Sequence, residues 1–158
     1  MSDTTSETTP PEPRVIIFDI DGTLANADHR VHHLQRKPKD WDAFFAAAAH
    51  DPPHDEIVYL NRMLWEDPHN RILIVTGRPD YQKDNTLAWL AKHGIRYHAI
   101  FFRPAGDRRA DSQVKAAILK RIRQDYGTPY LVFEDRSRVV EMWRSKGIRC
   151  LQVGAGDF

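Results

Sequence analysis

Residues 14–23 read RVIIFDIDGT, an apolar run that passes directly into two carboxylates, a glycine and a threonine. The apolar run is typical of a buried strand, and Asp19 and Asp21 follow at its carboxyl end. Side chains two residues apart in an extended segment point the same way, so both carboxylates can converge on one metal ion and one substrate atom. Two buried like charges are unfavourable unless a cation or a reaction requires them, while Gly22 permits a sharp turn and Thr23 adds a hydroxyl donor. The alternative is a strand that ends in a solvated acidic turn.

Short apolar or β-branched runs alternate with helical patterns along the chain. Strands are expected over residues 14–18, 72–75, 99–102, 130–133 and 148–153. Helices are expected over about 40–49, 55–65, 79–94, 112–127 and 137–147. Continuous apolar strands separated by helices predict a parallel sheet that is covered on both faces. We therefore predict an α/β, Rossmann-like fold with a small helical insert after the first strand.

The length and composition indicate a single soluble globular domain. The chain has 158 residues, of which 41% are hydrophobic and 28% charged, and it contains no apolar span of about eighteen residues, so no transmembrane helix is expected. Residues 1–13 are polar and proline-containing, lack the features of a signal peptide, and are expected to form a disordered tail before a domain at 14–158. The single cysteine, Cys150, lies in an apolar run and is expected to be a buried thiol. The cytoplasm is the expected compartment.

Polar residues also follow two other predicted strands. The second strand ends in Thr-Gly-Arg at residues 76–78, and the fourth ends in Glu134 and Asp135. Lys115 lies in the first turn of the helix predicted between the third and fourth strands. The carboxyl ends of parallel strands form the ligand-binding edge of an open sheet, so these groups are expected to meet. The alternative for the acidic pair is an N-cap of the following helix.

These four sites, in this order, resemble the four motifs of the haloacid dehalogenase superfamily of aspartyl-phosphate phosphatases. The resemblance implies that Asp19 attacks phosphorus and forms an aspartyl-phosphate. It implies that Asp21 protonates the leaving alcohol and then deprotonates the hydrolytic water. Thr76 and the backbone at Gly77 would bind phosphoryl oxygens, and Lys115 would bridge a phosphoryl oxygen and the Asp19 carboxylate.

The same resemblance implies a divalent cation, Mg²⁺, at this edge of the sheet. Its ligands would be Asp19, the backbone carbonyl of Asp21, and Asp135, with waters completing the octahedron. Glu134 would contact the ion through a water molecule or contact its direct ligands instead. A zinc site at His29, His32 and His33 is the alternative, but no cysteine or carboxylate cluster completes it.

Further stretches narrow the resemblance to the phosphatase domain of phage polynucleotide kinase-phosphatases: GDRR at 106–109, VVEMWR at 139–144 and QVGAGDF at 152–158. The narrower resemblance implies that Arg30 and Arg78 bind substrate beyond the scissile phosphate. It also matches Asp111, which lies four residues before Lys115 and therefore on the same helix face. No Gly-x-x-x-x-Gly-Lys-Ser/Thr loop occurs in these residues, so phosphate transfer from ATP by this stretch is not expected.

Charge is distributed unevenly along the chain, although the net charge is only +1. Residues 1–95 carry 15 acidic and 10 basic side chains, whereas residues 96–158 carry 7 acidic and 13 basic ones. A basic half beside a phosphate-binding site favours a polyanionic substrate, and Arg103, Arg108 and Arg109 are expected to contact a nucleotide phosphate. The alternative is that these arginines lie on solvated surfaces.

The favoured function is Mg²⁺-dependent hydrolysis of 3′-phosphate ends of polynucleotides. Hydrolysis of free nucleotides or another small phosphate ester is the second candidate, and a catalytically silent binding module is the third. A phosphorylated nucleic-acid end or nucleotide is therefore the expected partner, with no membrane contact. The sequence leaves the oligomeric state open, as it does the choice between DNA and RNA.

Overall fold

Five parallel strands form one sheet in the order β3-β2-β1-β4-β5. A computed structural model of the chain describes residues 11–156. The strands are β1 (Arg14–Phe18), β2 (Asn70–Pro79), β3 (Ala99–Arg103), β4 (Leu131–Glu134) and β5 (Cys150–Gln152). The chain builds outward from β1 to β3 and then restarts on the other side at β4. The reversal between β1 and β4 is the topological switch point at which such sheets bind ligands, and the predicted Rossmann-like fold is confirmed.

Five of the six described helices lie in predicted helical segments, whereas the short first one lies outside them. The helices are α1 (His32–Gln35), α2 (Trp41–Ala46), α3 (Asp55–Trp65), α4 (Lys83–Lys92), α5 (Asp111–Asp125) and α6 (Ser137–Ser145), with 3-10 turns at Asp28–Arg30, Ala47–His50 and Asp80–Gln82. The first three helices form the predicted insert between β1 and β2. Helix α2 is shorter than the predicted 40–49 because its last residues continue as a 3-10 turn. Asp40 caps it by accepting a hydrogen bond from the Ala43 N–H at 3.0 Å.

Two apolar layers hold the helices to the sheet. Successive strand residues face opposite sides, so Ile16 and Phe18 pack with α3 and α4, whereas Val15 and Ile17 pack with α5 and α6. Cys150 lies in the second layer, where burial raises the pKa of its thiol to about 12. The cysteine is therefore the expected core residue, because such a thiol stays neutral and unreactive at physiological pH.

Strand β2 runs further than the predicted 72–75, and this extension corrects one helix boundary. The helix expected to begin at Pro79 begins instead at Lys83. Pro79 has an extended backbone, with ψ of 153°, and pairs with Arg103 after an irregularity that begins at Val75. A proline fits the first turn of a helix, but here it closes a bulged strand whose last residues lie over the edge of the sheet.

Three further expectations concern the N-terminal tail, membrane-spanning helices and the cellular compartment. The tail predicted over 1–13 lies mostly outside the described residues, and residues 11–13 have no regular secondary structure. No described helix is long and apolar enough to cross a membrane. The cytoplasmic compartment stays a prediction.

Candidate active site

Asp19 lies at the end of the central strand and is only 5% exposed. Its two carboxylate oxygens accept hydrogen bonds from Lys115 Nζ at 2.8 Å and from the Thr23 hydroxyl at 3.1 Å. Burial and the nearby negative Glu134 raise the pKa of Asp19 to about 8, against the opposing effect of Lys115. An ionised Asp19 therefore depends on positive charge at this edge of the sheet.

Lys115 lies among three carboxylates and is 1% exposed. Its ammonium is 2.8 Å from Asp19, 2.8 Å from Glu134 and 3.5 Å from Asp111. Burial acts to lower the pKa of Lys115, but these negative neighbours raise it well above its usual value. The ammonium is thus held charged beside Asp19, and the pairing expected of Asp111 on the same helix face is present.

A group of buried carboxylates can hold a metal ion. Oxygens of Asp19, Glu134 and Asp135 lie within 4.8 Å of one another, and burial raises the pKa of both Glu134 and Asp135 to about 7. Glu134 already accepts hydrogen bonds from Lys115 and from the backbone N–H groups of Asp135 and Arg136, at 2.8, 3.2 and 3.3 Å. Asp135 has no ion pair with a basic side chain in the described structure. Crowded oxygen ligands of this kind fit a hard cation such as Mg²⁺.

Asp21 is held by two buried arginines. Arg78 contacts its carboxylate through Nη2 at 2.7 Å and through Nε at 3.1 Å, and Arg30 Nη2 donates a further hydrogen bond. Burial acts to raise the pKa of Asp21, but Arg78 and Arg30 hold it well below its usual range. Arg30 and Arg78 are 0% and 2% exposed, and neither lines the cavity described below. Their contacts are those of residues that position Asp21, and direct substrate binding by them stays a prediction.

Asp51 is the member of this network that sequence reasoning missed. It is buried and accepts two hydrogen bonds from Arg30, at 2.8 and 2.6 Å, while Arg78 Nη2 lies 3.6 Å away. His29 Nε2 is 2.6 Å from the same carboxylate, and the Trp89 indole N–H donates to the Asp51 backbone carbonyl at 2.9 Å. The only sequence signal was an aspartate before two prolines at the end of the predicted helix.

The histidines do not form a metal site. His29 is engaged with Asp51, and the rings of His32 and His33 lie against each other with centroids 4.0 Å apart and planes tilted by 39°. Within residues 11–156 the carboxylate group described above is the cluster of ligands with metal-binding spacing.

Thr76 and Gly77 lie on the extension of β2 above the sheet edge. The Thr76 hydroxyl is buried and accepts a hydrogen bond from the Arg78 N–H at 3.1 Å, which leaves its proton for a ligand. A Cβ atom at Gly77 would overlap the Asp111 carboxylate. Glycine is therefore required at this position for the start of α5 to approach the strand.

The loop after β3 carries arginines with different contacts. Arg103 donates to the backbone carbonyls of Gly77 at 2.9 Å and Arg109 at 2.7 Å, so it braces the loop. Arg109 pairs with Asp107 at 2.8 Å, with about half of its side chain exposed. Arg108 is exposed and forms no ion pair or hydrogen bond with another described residue. Of the three, Arg108 is the one whose charge is most available to a ligand.

A single cavity of about 640 Å³ opens over these groups. Asp19, Asp21, Glu134 and Asp135 line it from the sheet edge, and aromatic side chains of α2 and basic side chains of the β3–α5 loop line its other sides. Asp19, Asp21, Glu134 and Asp135, with Lys115 bound to two of them, therefore lie where a phosphate ester can enter. This arrangement has the parts needed for transfer of a phosphoryl group to a carboxylate.

The family model described as the polynucleotide kinase PNKP phosphatase domain matches residues 13–158. The chain belongs to this phosphatase family. Its fold is that of the haloacid dehalogenase superfamily, and the domain is a phosphatase.

Individual relatives and solved structures agree with this assignment. A protein of Autographa californica nuclear polyhedrosis virus, named "Putative bifunctional polynucleotide kinase/RNA ligase", is 28% identical over 134 residues, which are 84% of this chain and 18% of the viral protein. A chain in the structure of the Pnkp1/Rnl/Hen1 RNA repair complex superposes with a TM-score of 0.80 at 26% identity, over 98% of this chain and 48% of that one. The phosphatase domain thus spans about half or less of these two longer proteins.

More distant structures share only the fold. A haloacid dehalogenase-like hydrolase from Streptococcus pneumoniae gives a TM-score of 0.63 at 14% identity, over 89% of this chain and 84% of that one. The sheet and its flanking helices are therefore shared with a protein whose sequence has otherwise diverged.

Proposed function

We propose that this domain is a Mg²⁺-dependent phosphomonoesterase that removes 3′-phosphates from polynucleotide ends through an aspartyl-phosphate on Asp19. The observation that carries the proposal is the buried pairing of Asp19 with Lys115 at 2.8 Å under an open cavity. Membership of the polynucleotide kinase phosphatase family supports a nucleic-acid end as substrate. The names of the viral relative and of the RNA repair complex support it further.

In the first step a carboxylate oxygen of Asp19 attacks phosphorus, and the bond to the ester oxygen breaks. Lys115, between Asp19 and Glu134, is placed to neutralise charge on the transferring phosphoryl group. Thr76 and the backbone at Gly77 orient its other oxygens. Mg²⁺, when bound by Asp19, Asp135 and the Asp21 carbonyl, supplies the charge that offsets repulsion between two anionic reactants.

Asp21 is the general acid of the first step and the general base of the second. The arginines keep it ionised in the free enzyme, which suits the second step, in which it takes a proton from the water that attacks the aspartyl-phosphate. In the first step it delivers a proton to the departing ester oxygen. A bound phosphate adds negative charge beside Asp21, which opposes the arginines and raises its pKa.

The first experiment removes the nucleophile. Asp19→Asn keeps the shape of the side chain but not its charge, so we expect turnover to fall to background, while Asp42→Asn on the exposed face of α2 stays at the wild-type rate. Substrates are a 3′-phosphorylated oligonucleotide, a 3′-mononucleotide, a 5′-mononucleotide and a small non-nucleotide ester, each with and without Mg²⁺. A fully active Asp19→Asn variant would contradict the aspartyl-phosphate mechanism. A wild-type enzyme that does not hydrolyse the 3′-phosphorylated oligonucleotide would contradict the proposed substrate.

Free nucleotides are the second candidate, because a cavity of about 640 Å³ has the size of sites that hold small molecules, roughly 300–1,000 Å³. The same panel separates the two functions. Preference for a 5′-mononucleotide with no turnover of the oligonucleotide favours a nucleotidase.

A further inference from the structure

Three aromatic side chains that line the catalytic cavity have no assigned part in the phosphate chemistry. We call Trp41, Phe45 and Tyr81 the aromatic wall, since all three line the cavity. Trp41 is the first residue of α2 and is 43% exposed, while Tyr81, in the turn after β2, is 61% exposed. The Trp41 and Phe45 rings are stacked, with centroids 5.8 Å apart and planes at 24°.

The fold itself requires a different aromatic residue of α2. Phe44 is buried and packs 4.2 Å from the Arg30 guanidinium, so it joins the helix to the network around Asp21. Trp41 contacts Phe44 edge-on, with centroids 5.8 Å apart. Helix α2 is therefore anchored through Phe44, while Trp41 lines the cavity with 43% of the residue exposed. Large exposed aromatic side chains that line a site are typical of ligand contact.

We propose that the aromatic wall binds the nucleobase of the terminal nucleotide whose phosphate lies at Asp19. This inference rests on the proposed function and specifies its substrate. The cavity runs without interruption from Asp19 to Trp41, and its volume of about 640 Å³ exceeds the needs of a phosphate and one ion. Every base has a π-face that can stack on an aromatic ring, so such a subsite tolerates any base.

The charges near the wall fit the same occupant. Arg108 lines the cavity, is exposed, and has no ion pair in the described part of the chain. It can meet the phosphodiester that precedes the terminal nucleotide. Lys39 Nζ lies 5.8 Å from the centroid of the Trp41 ring. The aromatic wall can therefore bind the flat base, while Arg108 lies where it can bind a phosphate. A nucleotide carries its apolar base and its charged phosphate as separate groups, as this arrangement requires.

The test compares two oligonucleotides that differ only at the 3′-terminal unit. Both carry a 3′-phosphate, but one ends in a normal nucleoside and the other in an abasic tetrahydrofuran unit. We expect the full-length wild-type enzyme to prefer the base-bearing end in kcat/KM by about fivefold or more, the range expected for one base–aromatic stack. Trp41→Ala abolishes that preference by slowing the base-bearing substrate only, and Trp41→Phe restores most of it.

Tyr81→Ala is the second variant and keeps the test open if Trp41→Ala does not fold. Its matched control is Tyr130→Ala. Tyr130 is 62% exposed, but it precedes β4 and therefore lies at the amino ends of the strands, away from the cavity at their carboxyl ends. A wild-type enzyme that hydrolyses both ends equally well overturns the subsite while the proposed function stands. Loss of activity on both ends in a folded Trp41→Ala variant also overturns it, since the residue would then act on the reaction and not on the base. An enzyme that hydrolyses neither end contradicts the proposed function itself.

Discussion

Asp51 joins the helical insert to Asp21 although it does not line the catalytic cavity. Its carboxylate accepts two hydrogen bonds from the buried Arg30, which in turn holds Asp21. Removing one partner of a buried ion pair leaves an uncompensated charge and costs about 3–5 kcal/mol. We expect Asp51→Ala to lower the free energy of unfolding by that amount in denaturant titrations, whereas Asp42→Ala, at an exposed position, changes it by less than about 0.5 kcal/mol.

The same residue also has a kinetic signature. Asp51→Asn keeps the size of the side chain and one acceptor oxygen for Arg30 but removes the charge, so we expect a folded protein in which Asp21 is held less firmly. We expect kcat to fall about tenfold or more with a smaller change in KM, because the loss affects proton transfer and not ground-state binding. An unchanged kcat in a folded Asp51→Asn variant would show that the network serves stability alone.

The contrast between Lys115 and Asp51 shows what the sequence could predict at this scale. Lys115, Asp19 and Asp135 follow strands or open a helix, and the geometry of a parallel sheet brings such positions together whatever the connections are. Asp51 reaches Arg30 only through the path of the insert, which no local pattern determines. For the same reason the sequence placed Arg30 and Arg78 near the substrate but did not reveal that they are buried against Asp21.

The turn after β1 depends on close approach between two elements. Gly22 has φ of +84°, and a Cβ atom there would overlap the Asp135 carboxylate that follows β4. We expect Gly22→Ala to displace Asp135 and to weaken both Mg²⁺ affinity and turnover by at least about tenfold, since moved ligands no longer converge. Metal titration calorimetry and steady-state kinetics measure the two effects.

Gly147 provides the matched control for that variant. Its φ is +79°, but a Cβ atom there would meet nothing within 4 Å. Gly147→Ala therefore carries the backbone strain alone, about 1–2 kcal/mol, and we expect wild-type Mg²⁺ affinity and turnover. Equal losses of activity in both variants would mean that strain, and not contact with Asp135, explains the effect.

Whole elements were predicted better than their ends. All five strands and the helices around the sheet follow from apolar periodicity, because a doubly covered sheet imposes it. The extension of β2 to Pro79 did not follow, since a proline at that place also suits a helix start. Its extended form is selected by pairing with Arg103 across the sheet, a contact between distant parts of the sequence.

The carboxylates of the candidate metal site couple the stability of the whole domain to pH. Asp19, Glu134 and Asp135 have pKa values of about 8, 7 and 7, above their ordinary values near 4. The folded state therefore binds more protons than the unfolded state between about pH 4 and 8, so without metal these groups make the free energy of unfolding fall as pH rises.

Bound Mg²⁺ reverses that effect, because its ligands must be deprotonated. We expect the difference in Tm between samples with Mg²⁺ and with EDTA to be largest near pH 8 and to vanish toward pH 5. Groups away from the site titrate alike in both samples, so the difference isolates the cluster. Asp135→Asn removes one ligand and should flatten the difference, and a difference that is independent of pH would contradict the assignment of the site.

The uneven distribution of charge acts at the scale of the whole molecule. Arginines of the basic half line the cavity, namely Arg103, Arg108, Arg109 and Arg136. A polynucleotide adds phosphodiester charges that a mononucleotide lacks, and each contact with a cation releases a counterion. We expect the oligonucleotide 3′-phosphate to exceed the 3′-mononucleotide in kcat/KM, with an advantage that shrinks as salt is added.

Among these arginines, Arg108 is the one that we expect to contact the oligonucleotide. Arg108→Ala should reduce the slope of log kcat/KM against log salt by about 1 for the oligonucleotide, and leave the mononucleotide unchanged. Arg149→Ala removes the same charge from an exposed residue directly before β5, at the amino end of that strand. If long-range attraction by the basic half were the cause, both variants would lower the slope alike; a contact at the cavity requires that only Arg108→Ala does so.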